Sequence, residues 1–265
     1  MNTDVSFSIA QFRDAWNVLC RACAGFVTYQ AGGVEYIFSG VPIPFFNVAL
    51  VTAAGIPAGE LEAQARAACL WAADKAVPWM FVVTHEALAR GVDAASTLEP
   101  CGLVPMLPLT GMRTHDVVAP ARRTNGLDVG VADDDAACAA VFDVNSAAYG
   151  ADLDMCKPTF GKRSFWQNHV LSLGRVEGRP VSSAAVLMVD GYRYVALVAT
   201  TPDQQRRGYG EAAMRHALGV AAVTYGDAPT TLHATDAGRP IYERMGYQPI
   251  ATHTAFIEKR FLEGH

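Results

Sequence analysis

The order of apolar runs between residues 127 and 260 constrains the fold of this chain more than any other feature. Three runs, "VLSLGRVEG", "RPVSSAAVLMVDG" and "YRYVALVAT", follow one another across turns containing Glu177-Gly178 and Asp190-Gly191. Tight hairpins prefer such turns, because their central positions need positive φ. The third run ends in "TTPDQQRRGYG" and opens into a helical pattern, "EAAMRHAL". Ahead of the meander stand a strand, "LDVGV", and a helix, "ADDDAACAAVFDVNSAA". The aspartates of that helix suit its N-terminus, and Ala137, Val141, Val144 and Ala148 form its inner face. After the meander come "TTLHAT", a short helix "GRPIYERM" and a last strand near "THTAFIEK". This order predicts an α+β fold on a mixed, mainly antiparallel sheet flanked by helices.

The first half opens with a helix in which Phe12, Trp16, Leu19 and Cys23 fall at helical spacing. "GVEYIFSG" and "FFNVALVT" read as strands separated by the breaker "VPIP". "AGELEAQARAACLWAADKA" is a helix with Leu61, Ala65, Ala68, Cys69 and Ala72 on one face, and "WMFVVT" is a buried strand. Around residues 110–126 the hydrophobic pattern fails and Pro, Gly and polar residues gather, which predicts a linker. The expected domains are therefore 1–119 and 120–265.

A chain of 265 residues, 51% hydrophobic, buries a core of two compact units or one large one. With a net charge of −5 and no basic face, it is not expected to bind nucleic acid. The start, "MNTDVSFSIAQFRDAW", lacks a basic stretch followed by an apolar one, and no apolar run approaches the roughly 18 residues of a membrane span. A cytoplasmic protein without membrane contact is expected. "CRAC" (Cys20 to Cys23) lacks the second pair of ligands that zinc would need, so no metal is expected. The oligomeric state stays open, a homodimer included.

The turn between "YVALVA" and its helix carries the chemistry. Amides at a helix start point outward without partners and attract anions, and glycines let a ligand approach them. Gly208, Gly210 and Ala213 satisfy G-x-G-x-x-A, with Asp236 at a tolerable distance, as in dinucleotide-binding folds. Those folds place the turn after their first strand and continue through crossovers, whereas hairpins precede it here. No G-x-x-x-x-G-K-[ST] occurs, which excludes a P-loop.

Gln205-Arg206-Arg207-Gly208-Tyr209-Gly210 fits [RQ]-x-x-G-x-[GA], and "GRPIYERMGYQ" follows with a tyrosine on a short helix closed by Gly-aromatic. In this order the two motifs resemble the GNAT superfamily of acyl-CoA-dependent N-acyltransferases over residues 127–260. The resemblance implies acetyl-CoA as co-substrate. Its pyrophosphate would lie on the amides from Gln205 to Gly210, Tyr209 among them, with Arg206 and Arg207 adding charge. Its pantetheine arm would run beside the backbone of Val198, Ala199 and Thr200. Tyr242 takes the place of the general acid that protonates the leaving thiolate, and Gly246 caps its helix. Where many relatives carry asparagine this chain has Thr235, able to hydrogen-bond to pantetheine.

"YRYVALVAT" holds no glutamate to deprotonate the incoming amine. Asp152, Asp154, His169 and His233 are candidates, none of them singled out. The first half looks like a second copy without the chemistry: Gly55 and Gly59 are too far apart and no arginine precedes them. Aligned on Gly102 and Gly246, "LEPCGL" places Leu98 where "YERMGY" has Tyr242. The expectation is a tandem N-acetyltransferase acting on a small primary amine, its N-terminal copy shaping the acceptor pocket. The alternative is a non-catalytic acyl-CoA sensor.

Overall fold

A computed structural model describes residues 2–120 and 124–262. Two compact units form, one from Met1–Met112, His233–Pro240 and Gln248–His265, the other from Arg113–Leu232 and Ile241–Tyr247.

In the first unit, α1 (Thr3–Cys20) starts at Asn2, whose side chain accepts the Asp4 N–H, and buries Ile9, Phe12, Trp16 and Leu19. Strands β1 (Val27–Ala31), β2 (Val34–Phe38) and β3 (Asn47–Val51) form an antiparallel meander. Helix α2 (Ala58–Ala72) then carries the chain to β4 (Met80–Thr84), which pairs with β3 in parallel. Every residue of β3 and β4 is buried, in keeping with the apolar runs Val48–Val51 and Met80–Val83. The short α3 (Ala94–Leu98), capped by Asp93, leads to β5 (Leu103–Thr114). The core gathers Tyr36, Phe38, Leu61, Trp79, Phe81 and Leu98.

The second unit opens with β6 (Asp128–Val131) and α4 (Asp135–Tyr149). Asp134 caps α4 by accepting the Ala137 N–H at 2.7 Å, and Gly150 ends it at φ 64°. After α5 (Lys157–Phe160), strands β7 (Val170–Val176), β8 (Arg179–Val189) and β9 (Tyr192–Thr200) extend β6 as antiparallel neighbours. Both hairpins turn as their residues predict, with φ of 50° and 80° at Glu177 and Gly178 and of 45° and 76° at Asp190 and Gly191. Helix α6 (Tyr209–Tyr225) leads to β10 (Thr230–Ala234), which pairs with β9 in parallel, and α7 (Arg239–Arg244) follows.

The last strand, β11 (Gln248–Glu258), belongs to the first unit. It lies between β4 and β5, and its register against β4 sets Ala255 opposite Val82. The change of unit falls at Met112/Arg113, and Gln248–Glu258 belongs with the N-terminal residues.

Three expectations need correction. The linker expected at 110–126 overlaps β5, whose Leu109–Met112 are buried although Pro108 just before them and Gly111 among them break the pattern. Strand β1 was not foreseen, because an edge strand with four exposed residues of five leaves no apolar run. Cys23 lies beyond the end of α1, so its spacing from Leu19 is not a helical contact.

Candidate active site

The turn after β9 presents main chain to solvent. Gln205, Arg206, Arg207 and Gly208 are exposed, with left-handed φ of 63° at Arg206 and 82° at Gly208. Gly208 occupies the N-cap of α6 and offers no side-chain oxygen, so the first amides of a 17-residue helix stay open. Gly210 allows α6 to start tightly against β9: a Cβ there would stand 3.0 Å from Thr200 Oγ1 and 3.6 Å from Val198 Cγ1. The Gln205 amide donates to the Thr200 carbonyl at 3.4 Å, and the Tyr209 hydroxyl donates to the Asn125 carbonyl at the same distance. Tyr209 is itself buried, so its part in an anion cradle is confined to its backbone. Arg179 pairs with Asp203 at 2.5 Å and holds that carboxyl well below the usual range, and the Gln204 side-chain amide donates to it at 3.2 Å. Among the described residues neither Arg206 nor Arg207 has an acidic partner.

Above the turn, β9 loses its partner. Strand β10 pairs with it only at Arg193–Thr230 and Tyr194–Thr231. Among the described residues, Val195 to Thr200 are unpaired on that side. On the other side the register shifts, since Ala196 opposes Ala185 while Ala199 opposes Ser183. The extra residue makes a bulge, with Leu197 in the left-handed region at φ 51°. Ser183 Oγ donates to the Leu197 carbonyl at 2.9 Å, and Tyr149 Oη donates to the Val198 carbonyl at 3.0 Å. Val198 and Thr200 are half-buried, and Ala199 is buried.

Tyr242 lies on α7, half-buried, its ring 6.0 Å from that of Tyr247 in an edge-on arrangement. Among the described residues its hydroxyl has no hydrogen-bond partner, whereas Tyr247 Oη meets Thr230 Oγ1 at 2.8 Å. Burial pushes the Tyr242 phenol up from 10.0, and the neighbouring Tyr149 and Tyr247 push it further, so it stays protonated at neutral pH. Tyr149 is 60% exposed, yet the protein around it, by desolvation, also raises its phenol. Gly246, at φ 96°, closes α7: the Tyr247 N–H reaches back to the Tyr242 carbonyl at 3.0 Å and the Gly246 N–H to that of Glu243.

Thr235 Oγ1 accepts the Gly238 N–H at 3.3 Å, a local turn that leads into α7. The candidate bases are engaged elsewhere. Asp152 accepts the Asp154 N–H at 2.9 Å, and Asp154 pairs with Lys157 at 2.6 Å. His169 Nδ1 accepts the Met188 N–H at 3.2 Å, and His233 meets Ser8 Oγ at 3.1 Å in the first unit. Sequence reasoning missed Tyr149 and the Leu197 bulge. An aromatic residue just before the helix-ending Gly150 was a visible signal for the first; a left-handed leucine has none.

Residues 167–249 match the model of the acetyltransferase (GNAT) domain family. Over these residues the chain is similar to a GNAT acetyltransferase domain. The GNAT match covers the meander, the cradle turn and Tyr242, and GNAT domains take acetyl-CoA as co-substrate. Solved structures extend the likeness of fold to nearly the whole chain. A GCN5-related N-acetyltransferase from Kribbella flavida is 21% identical, with a TM-score of 0.71 over 98% of this chain and 96% of that one. A conserved protein of unknown function from Staphylococcus epidermidis is 11% identical, with a TM-score of 0.63 over 89% and 94%. A tandem GNAT protein of the clavulanic acid biosynthesis pathway, also 11% identical, gives 0.56 over 96% and 93%. No curated protein matches. Among the described residues no helix is long and apolar enough to cross a membrane.

Proposed function

We propose that the chain transfers an acetyl group from acetyl-CoA to a primary amine of a small molecule, with Tyr242 as general acid. The observation that carries the proposal is the unpaired edge of β9 from Val195 to Thr200, running straight into the uncapped start of α6. The edge offers peptide groups to the amides of a pantetheine arm, and the helix start offers amides to a pyrophosphate. Arg206 and Arg207 add positive charge beside it. The amine nitrogen attacks the acetyl carbonyl, an amide on the β9 edge stabilises the oxyanion, and the carbon–sulfur bond breaks. The thiolate takes the proton of Tyr242, and the proton lost by the amine returns to the phenolate through water.

The N-terminal unit is read as a degenerate copy. Its β3–α2–β4 repeats the parallel strand–helix–strand of β9–α6–β10. Gly102 at φ 78° follows a short helix as Gly246 does. Pro57 stands at the start of α2 where the cradle has Gly208, and the buried Leu98 stands where Tyr242 would be. Its proposed role is to shape the choice of acceptor. The test of the function is thiol release from acetyl-CoA across a panel of small amines; binding of acetyl-CoA without release would instead identify a sensor.

A further inference from the structure

The Leu197 bulge is held by a chain of hydrogen bonds whose proton directions admit one solution. The Leu197 carbonyl can only accept, so Ser183 Oγ donates its single proton there, at 2.9 Å. Ser183 must then accept from Asn145 Nδ2, 3.0 Å away. The second proton of Asn145 Nδ2 goes to the Val141 carbonyl at 2.8 Å, one turn back along α4. Asn145 and Ser183 are fully buried. Four residues on from Asn145, on the same face of α4, Tyr149 donates to the next carbonyl, that of Val198. One helix thus fixes two successive peptide groups, one through a serine and one directly.

The consequence follows from peptide geometry. A trans peptide is planar, with its N–H opposite its C=O. Clamping the Leu197 carbonyl towards Ser183 therefore aims the Val198 N–H the other way. A leucine in the left-handed region is strained, and persists only where its surroundings hold it.

We propose that Asn145, Ser183 and Tyr149 are positioning residues that hold the Leu197 bulge so that the Val198 N–H points at the thioester carbonyl of the bound acyl donor. The inference rests on the acetyltransferase reading above. It predicts that the clamp acts on the acyl carbonyl and not on affinity for the rest of coenzyme A.

The test is the infrared carbonyl stretch of acetyl-CoA labelled with 13C at the thioester carbon, bound to the full chain, beside the dissociation constant of coenzyme A. With wild type the stretch shifts down on binding. In Ser183→Ala the shift is lost while coenzyme A binds within about threefold, which also shows that the variant is folded. Adding Leu197→Gly restores the shift at least in part, because glycine adopts positive φ without strain. With a reactive amine, kcat of Ser183→Ala falls roughly 10- to 100-fold with little change in KM for acetyl-CoA. A full shift in Ser183→Ala overturns the inference alone, as does a loss that Leu197→Gly leaves untouched. Failure of wild type to bind either acetyl-CoA or coenzyme A overturns the acetyltransferase reading and the inference with it.

Discussion

Gly210 lies so close to Thr200 that a Cβ on it would stand 3.0 Å from the threonine Oγ1. With a side chain at this position, helix α6 can begin where β9 ends only if the Thr200 hydroxyl gives by a few tenths of an ångström. Gly210→Ala pushes the helix start off the strand, at a cost of about 1–3 kcal/mol in stability. Because the open amides move with it, affinity for acetyl-CoA falls by about tenfold or more. Urea unfolding and calorimetric titration of the same variant read the two effects separately.

Tyr242→Phe removes only a hydroxyl that has no partner among the described residues, so the fold and coenzyme A affinity should be kept. With Tyr242 as the proposed general acid, the change lowers kcat by about 10²–10⁴. Since burial raises the phenol above 10.0, wild-type kcat should show no alkaline fall from this group up to about pH 10. A pH–rate profile with a non-titrating acceptor checks this.

In the first unit His253 is buried with Nε2 at 2.9 Å from Ser8 Oγ and Nδ1 at 2.9 Å from Thr84 Oγ1. Burial brings its pKa down from 6.5 to about 4, with Glu86 and His85 acting in opposite senses, and His233 is lowered as well. The unfolded chain takes up a proton here below pH 6.5, whereas the folded chain does so only near pH 4. Stability is therefore present at neutral pH and lost as the pH falls through that window. His253 alone removes about 2 kcal/mol between pH 7 and pH 5. Denaturant titrations at the two pH values should show the loss, and His253→Gln should flatten it.

Strand β11 lies between β4 and β5, so a fragment ending at residue 119 leaves an edge of β4 uncovered. Residues Met80 to Thr84 of that strand are all buried in the intact chain. The fragment 1–119 should aggregate or stay unfolded by circular dichroism, and a peptide of residues 248–262 should restore a folded state.

These four cases mark what was legible in the sequence. Gly208 and Gly210 announced the tight turn from β9 into α6, because a φ of 82° and a close approach to Thr200 both favour glycine. Glu177-Gly178 and Asp190-Gly191 announced the hairpins for the same reason. Local patterns could not say which strand β11 joins, since its partner β4 lies far back in the chain. The bulge was hidden because tertiary hydrogen bonds from Asn145, Ser183 and Tyr149, not propensity, put Leu197 in its conformation. The linker expectation failed at Leu109–Met112, since Pro108 and Gly111 lie within β5, a strand that neighbours β11 in the sheet.

The central claim is that the turn after β9 receives the phosphates of acetyl-CoA. Thermal unfolding of the intact protein with acetyl-CoA, with NADH and with neither tests it most directly. At about 100 times its dissociation constant a ligand adds roughly 2.7 kcal/mol, a rise of a few degrees for a chain of this size. The account predicts that rise with acetyl-CoA alone. A rise with NADH alone, or with neither ligand, would contradict it.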